Sequence, residues 1–320
     1  MTETPSAQPL RGPILLCAGT DAAAAARLAE AAADLLDDRA AVVLATWRPP
    51  PMFSAWDAVM DAAYDTQAEL RAAARQAAAE TAQAAADVLE ARGVHVTRQV
   101  CPEELSPWQE ILALADEVDA SVVVAGIGEG HAVQPGGLGR QARALAHRSR
   151  RPILFVPAEH APASADAPAI FAYDGSPPAG AAQRAAGTLL RGRPALVATA
   201  WPSARHAVGV ARLAVPDEVV RKGADALDES TRLQAAGEAA EGAAQLTAAG
   251  WSCEQAALET ARNATSALVG AADEHDAAVI VTGTRGRSAL AATLLGSTAE
   301  GVLRHAGRPV LLVPSPKDEA

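Results

Sequence analysis

The chain has 320 residues, of which half are apolar but only 3% are aromatic, so its core must be built from Ala, Val and Leu. That length suits about two domains of ordinary size. A net charge of −11 without a lysine-rich run argues against nucleic acid or an anionic membrane surface as the main partner. The sequence also lacks a signal peptide, an apolar run of about 20 residues and cysteines with metal-ligand spacing, so we expect a soluble cytoplasmic protein.

The first half alternates between strand and helix patterns. Short β-branched apolar runs predict strands at residues 13–18, 41–46, 94–100, 121–125 and 153–156. Alanine-rich stretches predict helices at residues 22–36, 58–91, 107–118 and 138–148. Asp21 is placed to cap the first of these helices, and Gly93 follows the long helix at the usual place of a C-terminal glycine.

The second half repeats the same order of elements after a Pro/Ala/Ser-rich stretch at residues 158–168, which predicts a linker. We therefore predict two domains, at residues 1–160 and 161–320. Strands are predicted at residues 169–173, 195–200 and 253–258, from Val279 onwards, and at 310–313; helices are predicted at 178–190, 219–249, 266–274 and 299–305.

An internal repeat supports this division. Residues 122–157 and 279–314 align without gaps and share 12 of 36 residues, including the pairs Gly126/Gly283 and Gly139/Gly296. Alternating strands and helices predict an α/β fold with two open, parallel, five-stranded sheets that carry helices on both faces. In such sheets ligands bind beyond the carboxyl ends of the strands.

A glycine-rich loop in the second copy predicts an anion site. Gly283 and Gly286 follow the strand, and Gly296 with Ser297 and Thr298 stands directly before a helix. Glycines let a backbone approach a ligand closely, and the N–H groups at a helix start favour phosphate. The loop is neither a Walker loop nor a dinucleotide fingerprint, because it lacks Gly-Lys-Ser/Thr and has a different glycine spacing.

The spacing Gly283-x-x-Gly286, nine residues, then Gly296-Ser297 resembles the nucleotide-binding members of the universal stress protein family. The strand end at residues 172–176, which carries Asp174, resembles the end of the family's first strand. Both halves are similar in element order, so the chain resembles a tandem universal stress protein. This resemblance implies a Rossmann-type, adenine nucleotide alpha-hydrolase-like fold. It also implies an internal pseudo-dimer, because the family pairs its final strands across a dimer, and a homodimer of whole chains is an open alternative.

The resemblance further implies a ligand, which would be ATP with or without Mg²⁺, or else AMP or ADP. The site residues that it implies are Asp174 at the ribose or adenine end, Ala200 near the adenine, Gly283 at the ribose, and Gly286, Arg287, Gly296, Ser297 and Thr298 at the phosphates. Ala299 replaces a hydroxyl residue that is frequent in the family, which removes one expected phosphate or metal contact. Arg285 and Arg287 are either further phosphate ligands or solvated loop arginines.

The first half departs from this pattern at three positions. Gly19 stands where the second half has Asp174, Glu129 replaces the second glycine, and Arg140 replaces Ser297. A carboxylate repels phosphate and the loss of a hydroxyl removes a donor, although Arg140 could still bind an anion. We therefore expect nucleotide binding mainly in the second half.

Two groups of residues contain a histidine beside carboxylates. His131 with Glu129, and His275 with Asp273 and Asp276, could hold a metal, but no third ligand has recognisable spacing and we expect no metal site.

Two tryptophans, Trp47 and Trp201, could flank an adenine, although packing against the neighbouring loop is the simpler interpretation. No catalytic motif stands out, so we expect no catalytic residue and at most slow ATP hydrolysis or autophosphorylation.

Three classes of function remain open at this stage. The first is an ATP-binding stress-response regulator with an unknown protein partner. The second is a scaffold of the same fold that binds no nucleotide. The third, an ATP-consuming ligase or pyrophosphatase, requires a Gly/Ser-rich phosphate loop after the first strand, which residues 174–178 do not supply.

Overall fold

A computed structural model describes residues 11–48, 61–103, 106–127, 138–160, 162–190, 192–205, 217–286 and 295–315. Within these ranges the strands are β1 (Ile14–Cys17), β2 (Ala41–Trp47), β3 (Val96–Pro102), β4 (Val122–Ile127), β5 (Ile153–Pro157), β6 (Ala169–Ala172), β7 (Ala195–Pro202), β8 (Cys253–Thr260), β9 (Val279–Gly283) and β10 (Val310–Val313). The helices are α1 (Ala22–Leu35), α2 (Asp61–Ala91), α3 (Pro107–Glu117), α4 (Arg140–Arg148), α5 (Pro177–Gly187), α6 (Asp217–Ala248), α7 (Ala264–Glu274) and α8 (Ser297–His305).

All ten strands form one sheet with the order β3-β2-β1-β4-β5-β10-β9-β6-β7-β8. Each half contributes five parallel strands, as its alternation of strands and helices predicts. The first strand of each half lies in the middle of its five, and the chain reverses direction across the sheet between that strand and the fourth. The predicted α/β class with two parallel halves is therefore confirmed.

The two halves meet along their final strands, which pair in antiparallel fashion. Leu154 of β5 faces Leu311 of β10, and these two leucines occupy equivalent positions of the repeat. A pseudo-twofold axis therefore passes through this pair. The predicted internal pseudo-dimer is confirmed. β5 and β10, each of which would be an edge strand in a separate half, are buried in the middle of the joint sheet.

Helices cover both faces of the sheet and bury two separate alanine- and valine-rich cores. The alternating residues of each strand contribute to one core or the other, as the period of two in a strand requires. The first core includes residues of α1, α2, α5 and α6, whereas the second includes residues of α3, α4, α7 and α8. Cys17 packs in the second core, and burial raises the pKa of its thiol to about 12, so the thiol stays protonated.

Matching arginines hold the turn before the fourth strand of each half. Arg151 donates to the carbonyl of Ala120 and to the carboxylate of Asp119, both at 2.8 Å. Arg308 makes the same two contacts in the second half, with Ala277 at 2.8 Å and Asp276 at 2.9 Å. Both aspartates adopt left-handed φ angles, 51° and 47°, so the repeated arginine holds a strained turn and is structural.

The halves also contact each other away from the central strands. Leu36, after α1, forms an isolated antiparallel bridge with Leu190, after α5. Arg193 reaches across the same region to the carbonyl of Asp34 at 3.0 Å. On the opposite face of the sheet, Arg143 of α4 lies 3.6 Å from Glu300 of α8. Among the described helices, none combines the length and the apolar character that a bilayer crossing requires.

Candidate functional site

The candidate site lies at the carboxyl ends of β6 and β9, where the chain reverses direction across the second half of the sheet. Ala172 of β6 is in register with Ala198 of β7, and the N–H of Tyr173 donates to the Ala198 carbonyl at 3.0 Å. The register therefore places Asp174 level with Ala200. This is the switch point at which open α/β sheets bind ligands.

Asp174 is held by the turn that follows β6. Its Oδ1 accepts a hydrogen bond from the Ser176 hydroxyl at 2.6 Å and another from the Ser176 N–H at 3.1 Å. Gly175 between them has a φ of 74°, a conformation that strongly favours glycine. The Ser176 hydroxyl also accepts from the N–H of Ala179 and so caps α5. The orientation of the carboxylate is thus tied to the start of a helix.

The loop after β9 comes against this carboxylate at Gly286. A Cβ atom on Gly286 would lie 2.5 Å from Oδ2 of Asp174, which is far inside van der Waals contact. Only glycine lets the backbone approach so closely without moving the carboxylate. The structure therefore brings two of the predicted site residues, Asp174 and Gly286, directly together.

The same loop is tied to the start of α8. The N–H of Gly296 donates to the carbonyl of Thr284 at 2.8 Å. A Cβ on Gly283 would lie 3.3 Å from the carbonyl oxygen of Arg285, so the loop turns tightly over the end of β9. The predicted residues Gly283, Gly286 and Gly296 therefore belong to one folded unit.

The N-terminus of α8 lacks a side-chain cap. Asp21, Ser176 and Asn263 cap α1, α5 and α7 by accepting from backbone N–H groups. The N-cap of α8 is Gly296, which has no side chain to accept from the first-turn N–H groups. An anion placed there would satisfy those donors and interact favourably with the helix dipole.

The residues after Gly296 differ in what they can offer to such an anion. Ser297 is exposed and Thr298 is half-buried, so both hydroxyls lie at the surface of the first turn. Ala299 is 2% exposed and packs in the core, so a hydroxyl at this position would face the protein interior. Arg285 is half-buried, and the predicted ligand Arg287 lies outside the described residues.

Polar residues of α6 contact Tyr173, the residue before Asp174. Gln245 donates to the hydroxyl of Tyr173 at 3.2 Å and to Glu241 at 3.3 Å. Burial first, and the Glu241 carboxylate second, raise the pKa of Tyr173 above its ordinary value, so its phenol stays protonated at neutral pH. Gly242 lets α6 pack closely against the sheet, because a Cβ there would lie 2.9 Å from Val197 and 3.0 Å from Tyr173.

A second contact from α6 fixes the turn after β7, next to Ala200. Asp228 is 6% exposed and accepts hydrogen bonds from the Ser203 hydroxyl at 2.9 Å and from the N–H groups of Ala204 and Arg205. Burial raises the pKa of Asp228, but these hydrogen bonds outweigh burial and hold the pKa below its ordinary value. We refer to Asp228 with residues 203–205 as the β7 latch.

Sequence reasoning missed both Ser176 and Asp228. Ser176 had a local signal, because Asp-x-Ser before a Pro-initiated helix is typical of a capped turn. Asp228 had none, since it lies in a long charged helix and meets its partners only through the tertiary fold. Of the two tryptophans considered earlier, Trp201 is buried within β7, and Trp47 is half-buried and packs against the first core.

The equivalent place in the first half has a different chemistry. The N–H of Ala18 donates to the carbonyl of Leu44 at 2.8 Å, which matches the Tyr173 contact in the second half. Gly19 therefore occupies the position of Asp174, with a φ of 67° and no carboxylate. Arg140, the counterpart of Ser297, is exposed at the start of α4. Glu129 lies outside the described residues.

The possible metal ligands of the second half are engaged elsewhere. Asp273 and Asp276 both pair with Arg308, at 3.5 and 2.9 Å, beside His275 at the end of α7. Within the ranges that the structure describes, no three His, Cys, Asp or Glu residues cluster as metal ligands. His131 falls outside those ranges.

The sequence and the fold are similar to those of one known protein family. The model of the universal stress protein family matches residues 11–157 and again residues 168–314. Curated protein sequences include no match. A universal stress protein from Archaeoglobus fulgidus DSM 4304 has a similar fold, with a TM-score of 0.57 at 17% identity, over 97% of this chain and 99% of that protein.

Two further solved structures are similar. A putative universal stress protein from Pseudomonas aeruginosa UCBPP-PA14 has a TM-score of 0.52 at 17% identity, over 96% of this chain and 94% of its own. A universal stress protein in complex with cAMP is 24% identical over 48% of this chain and 100% of its own, with a TM-score of 0.33. Because the family model matches both halves, the chain belongs to the universal stress protein family and carries two of its domains in tandem.

Proposed function

We propose that this protein binds ATP, or another adenine nucleotide, in its second half and acts as a nucleotide-dependent regulator in the stress response. The observation that carries the proposal is the uncapped, glycine-initiated start of α8 beside the Asp174 carboxylate. A nucleotide needs an anion site and a hydrogen-bond acceptor for its ribose, and here the Gly283–Gly286 loop connects the two.

Each group has a role in this proposal. The first-turn N–H groups of α8, with the hydroxyls of Ser297 and Thr298, bind the phosphates. Asp174 accepts a hydrogen bond from the ribose, and Ser176 fixes the orientation of its carboxylate. Ala200, level with Asp174 on β7, lies beside the adenine. Arg287 adds a charge-assisted phosphate contact.

The first half takes no part in nucleotide binding in this proposal. Gly19 supplies no carboxylate, and the guanidinium of Arg140 replaces the hydroxyl of Ser297. One molecule with domains at residues 1–160 and 161–320 therefore binds one nucleotide. Occupancy of the second half changes how the molecule interacts with a cytoplasmic protein partner, and hydrolysis is not required.

Calorimetric titration of ATP and AMP, with and without Mg²⁺, tests the proposal with two matched variants. Gly296→Glu places a carboxylate at the start of α8, where it repels phosphate, and we expect affinity to fall by more than about tenfold. Gly139→Glu makes the same change at the equivalent N-cap of α4, which has similar backbone angles, and should leave binding unchanged.

Three results would contradict parts of this proposal. If the wild type binds no adenine nucleotide, the second half is not a nucleotide site. If Gly296→Glu binds as the wild type does, the nucleotide lies elsewhere. A stoichiometry of two, with half of the sites lost in Gly139→Glu, would show that the first half binds as well.

A further inference from the structure

A basic cleft of about 920 Å³ lies along the outer face of α4, in the half without the proposed nucleotide site. Its described lining contains four arginines and one histidine, which are Arg140, Arg143, His147, Arg148 and Arg150, and includes no acidic residue. We call it the α4 cleft. In a chain with a net charge of −11, this is a strong local concentration of positive charge.

Helix geometry and two contacts set the arrangement of these cations. Arg140, Arg143 and His147 are three and four residues apart and therefore share one face of α4. The guanidinium of Arg148 lies 4.7 Å from the ring centroid of Trp108 on α3, which holds it in place through a cation–π contact. Arg143 also forms an ion pair with Glu300 of α8, at 3.6 Å.

Two of the arginines in the α4 cleft differ from the others in their contacts. Arg140 and Arg150 are exposed, and neither forms an ion pair with any residue that the structure describes. Arg151, which follows directly, belongs to the structural turn with Asp119 and does not line the cleft. The basic cleft is thus distinct from the arginine that the repeat conserves in both halves.

The equivalent helix of the second half provides an internal comparison. At the positions of Arg140, Arg143 and Arg150, α8 and the turn after it have Ser297, Glu300 and Gly307, respectively. At the positions of His147 and Arg148, α8 has Arg304 and His305, so two of the five basic positions are common to both halves. The other three, Arg140, Arg143 and Arg150, are particular to the first half, where the Asp174 carboxylate is also missing.

We propose that the α4 cleft binds a compact ligand that carries several phosphate groups. Arginine presents its donors in a planar fork that matches phosphate oxygens. The volume lies within the range of small-molecule sites, about 300–1,000 Å³. A long polyanion would meet the acidic remainder of the surface beyond the cleft, so a compact anion fits the charge distribution better.

Inorganic tripolyphosphate is the probe for a calorimetric test on the full chain at about 0.1 M ionic strength. Arg140→Gln/Arg150→Gln removes the two cations of the cleft that pair with none of the described residues. Arg71→Gln/Arg75→Gln changes the net charge equally on the exposed face of α2 and is the matched control. Thermal unfolding of both double variants checks that they fold.

In the Gly296→Glu background, which blocks the proposed phosphate site of the second half, we expect the parent chain and the α2 control to bind one tripolyphosphate. The cleft variant should bind it more than about tenfold more weakly, since each lost contact is charge-assisted. Binding should persist in Gly296→Glu, which separates the cleft from the proposed nucleotide site. One nucleotide per chain, as proposed above, predicts that this variant binds tripolyphosphate but not ATP, which would identify the ligand as a free polyphosphate. ATP binding as tight as that of tripolyphosphate would instead reveal a nucleotide polyphosphate in the first half and contradict the proposed stoichiometry.

The proposal is wrong if the wild type does not bind tripolyphosphate, or if both double variants weaken binding equally. It is also wrong if Gly296→Glu abolishes the binding. An oligoglutamate peptide that binds more tightly than tripolyphosphate, and loses its affinity in the cleft variant, would show that the cleft recognises acidic peptides and not phosphate.

Discussion

Among the glycines of the candidate site, Gly286 leaves the least room for a side chain, because of Asp174. A methyl group on Gly286 would lie 2.5 Å from Oδ2 of the carboxylate, so Asp174 would have to turn away and lose its contacts with Ser176. The glycine therefore does more than leave space for a phosphate. It keeps in place the group that is proposed to bind the ribose.

Gly286→Ala should lower ATP affinity by about tenfold and reduce the free energy of unfolding by about 1 kcal/mol, since hydrogen bonds to Asp174 are lost. Calorimetry and urea denaturation measure the two effects. Gly307→Ala is the control, because no atom lies within 4 Å of its Cβ, and it should change stability by less than about 0.5 kcal/mol.

A double variant separates the steric effect from the chemical one. In Gly286→Ala/Asp174→Ala both the clash and the Ser176 contacts are absent, so its stability should equal that of Asp174→Ala alone, while its ATP affinity stays low. Recovery of affinity in the double variant would contradict the proposed role of the carboxylate.

At the level of elements, the β7 latch connects α6 to the strand that carries Ala200. The Asp228 carboxylate accepts its hydrogen bonds only while it is ionised, which is why they hold its pKa below the ordinary value despite burial. A carboxyl group with a depressed pKa stabilises the fold at any pH above the pKa of the unfolded chain, about 3.9. That stabilisation is lost as the pH falls through the lower pKa of the folded protein.

Asp228→Asn should therefore unfold at a lower temperature than the wild type at pH 7, and the difference between them should shrink as the pH falls below about 4. Thermal melts across this range measure the effect. Glu218→Gln, at an exposed position of the same helix that contacts Lys222 and not the latch, is the control for a general change in charge. If the difference in unfolding temperature stayed the same below pH 4, the latch would not depend on the ionised form of Asp228.

Most elements could be predicted from the sequence because they depend on local patterns. Strands such as β9 are continuous apolar runs, and the copy at residues 122–157 identified the repeat. Several boundaries moved by a few residues: α8 begins at Ser297, two residues before the prediction, because Gly296 is its N-cap. The β7 latch could not be predicted, since its partners are more than 20 residues apart and only the fold joins them.

Across the whole molecule, equivalent positions of the repeat meet at the pseudo-twofold axis. Leu154 faces Leu311 within the sheet, and Arg143 faces Glu300 between α4 and α8. Identical copies would place two arginines or two glutamates at the second contact, which is repulsive. The divergence of the two halves has replaced this repulsion by an ion pair.

Arg143→Glu should reduce the free energy of unfolding by about 1 kcal/mol, because it brings two carboxylates together at a largely solvated contact. The exchange Arg143→Glu/Glu300→Arg should recover only part of this loss, because Glu300 also pairs with Arg304 at 2.6 Å and an arginine in its place would repel Arg304. Urea denaturation of the wild type, both single variants and the exchange variant provides a double-mutant cycle. Strictly additive effects would show that the two side chains do not interact.

The antiparallel pairing of β5 and β10 has a consequence for how the protein behaves on dilution. Because the linker holds both strands in one chain, each meets the other at an effective concentration on the order of millimolar. The two halves therefore stay paired at any expression level, because neither half can diffuse away from the other. Every molecule keeps one half of each kind, in a fixed ratio that mass action cannot alter.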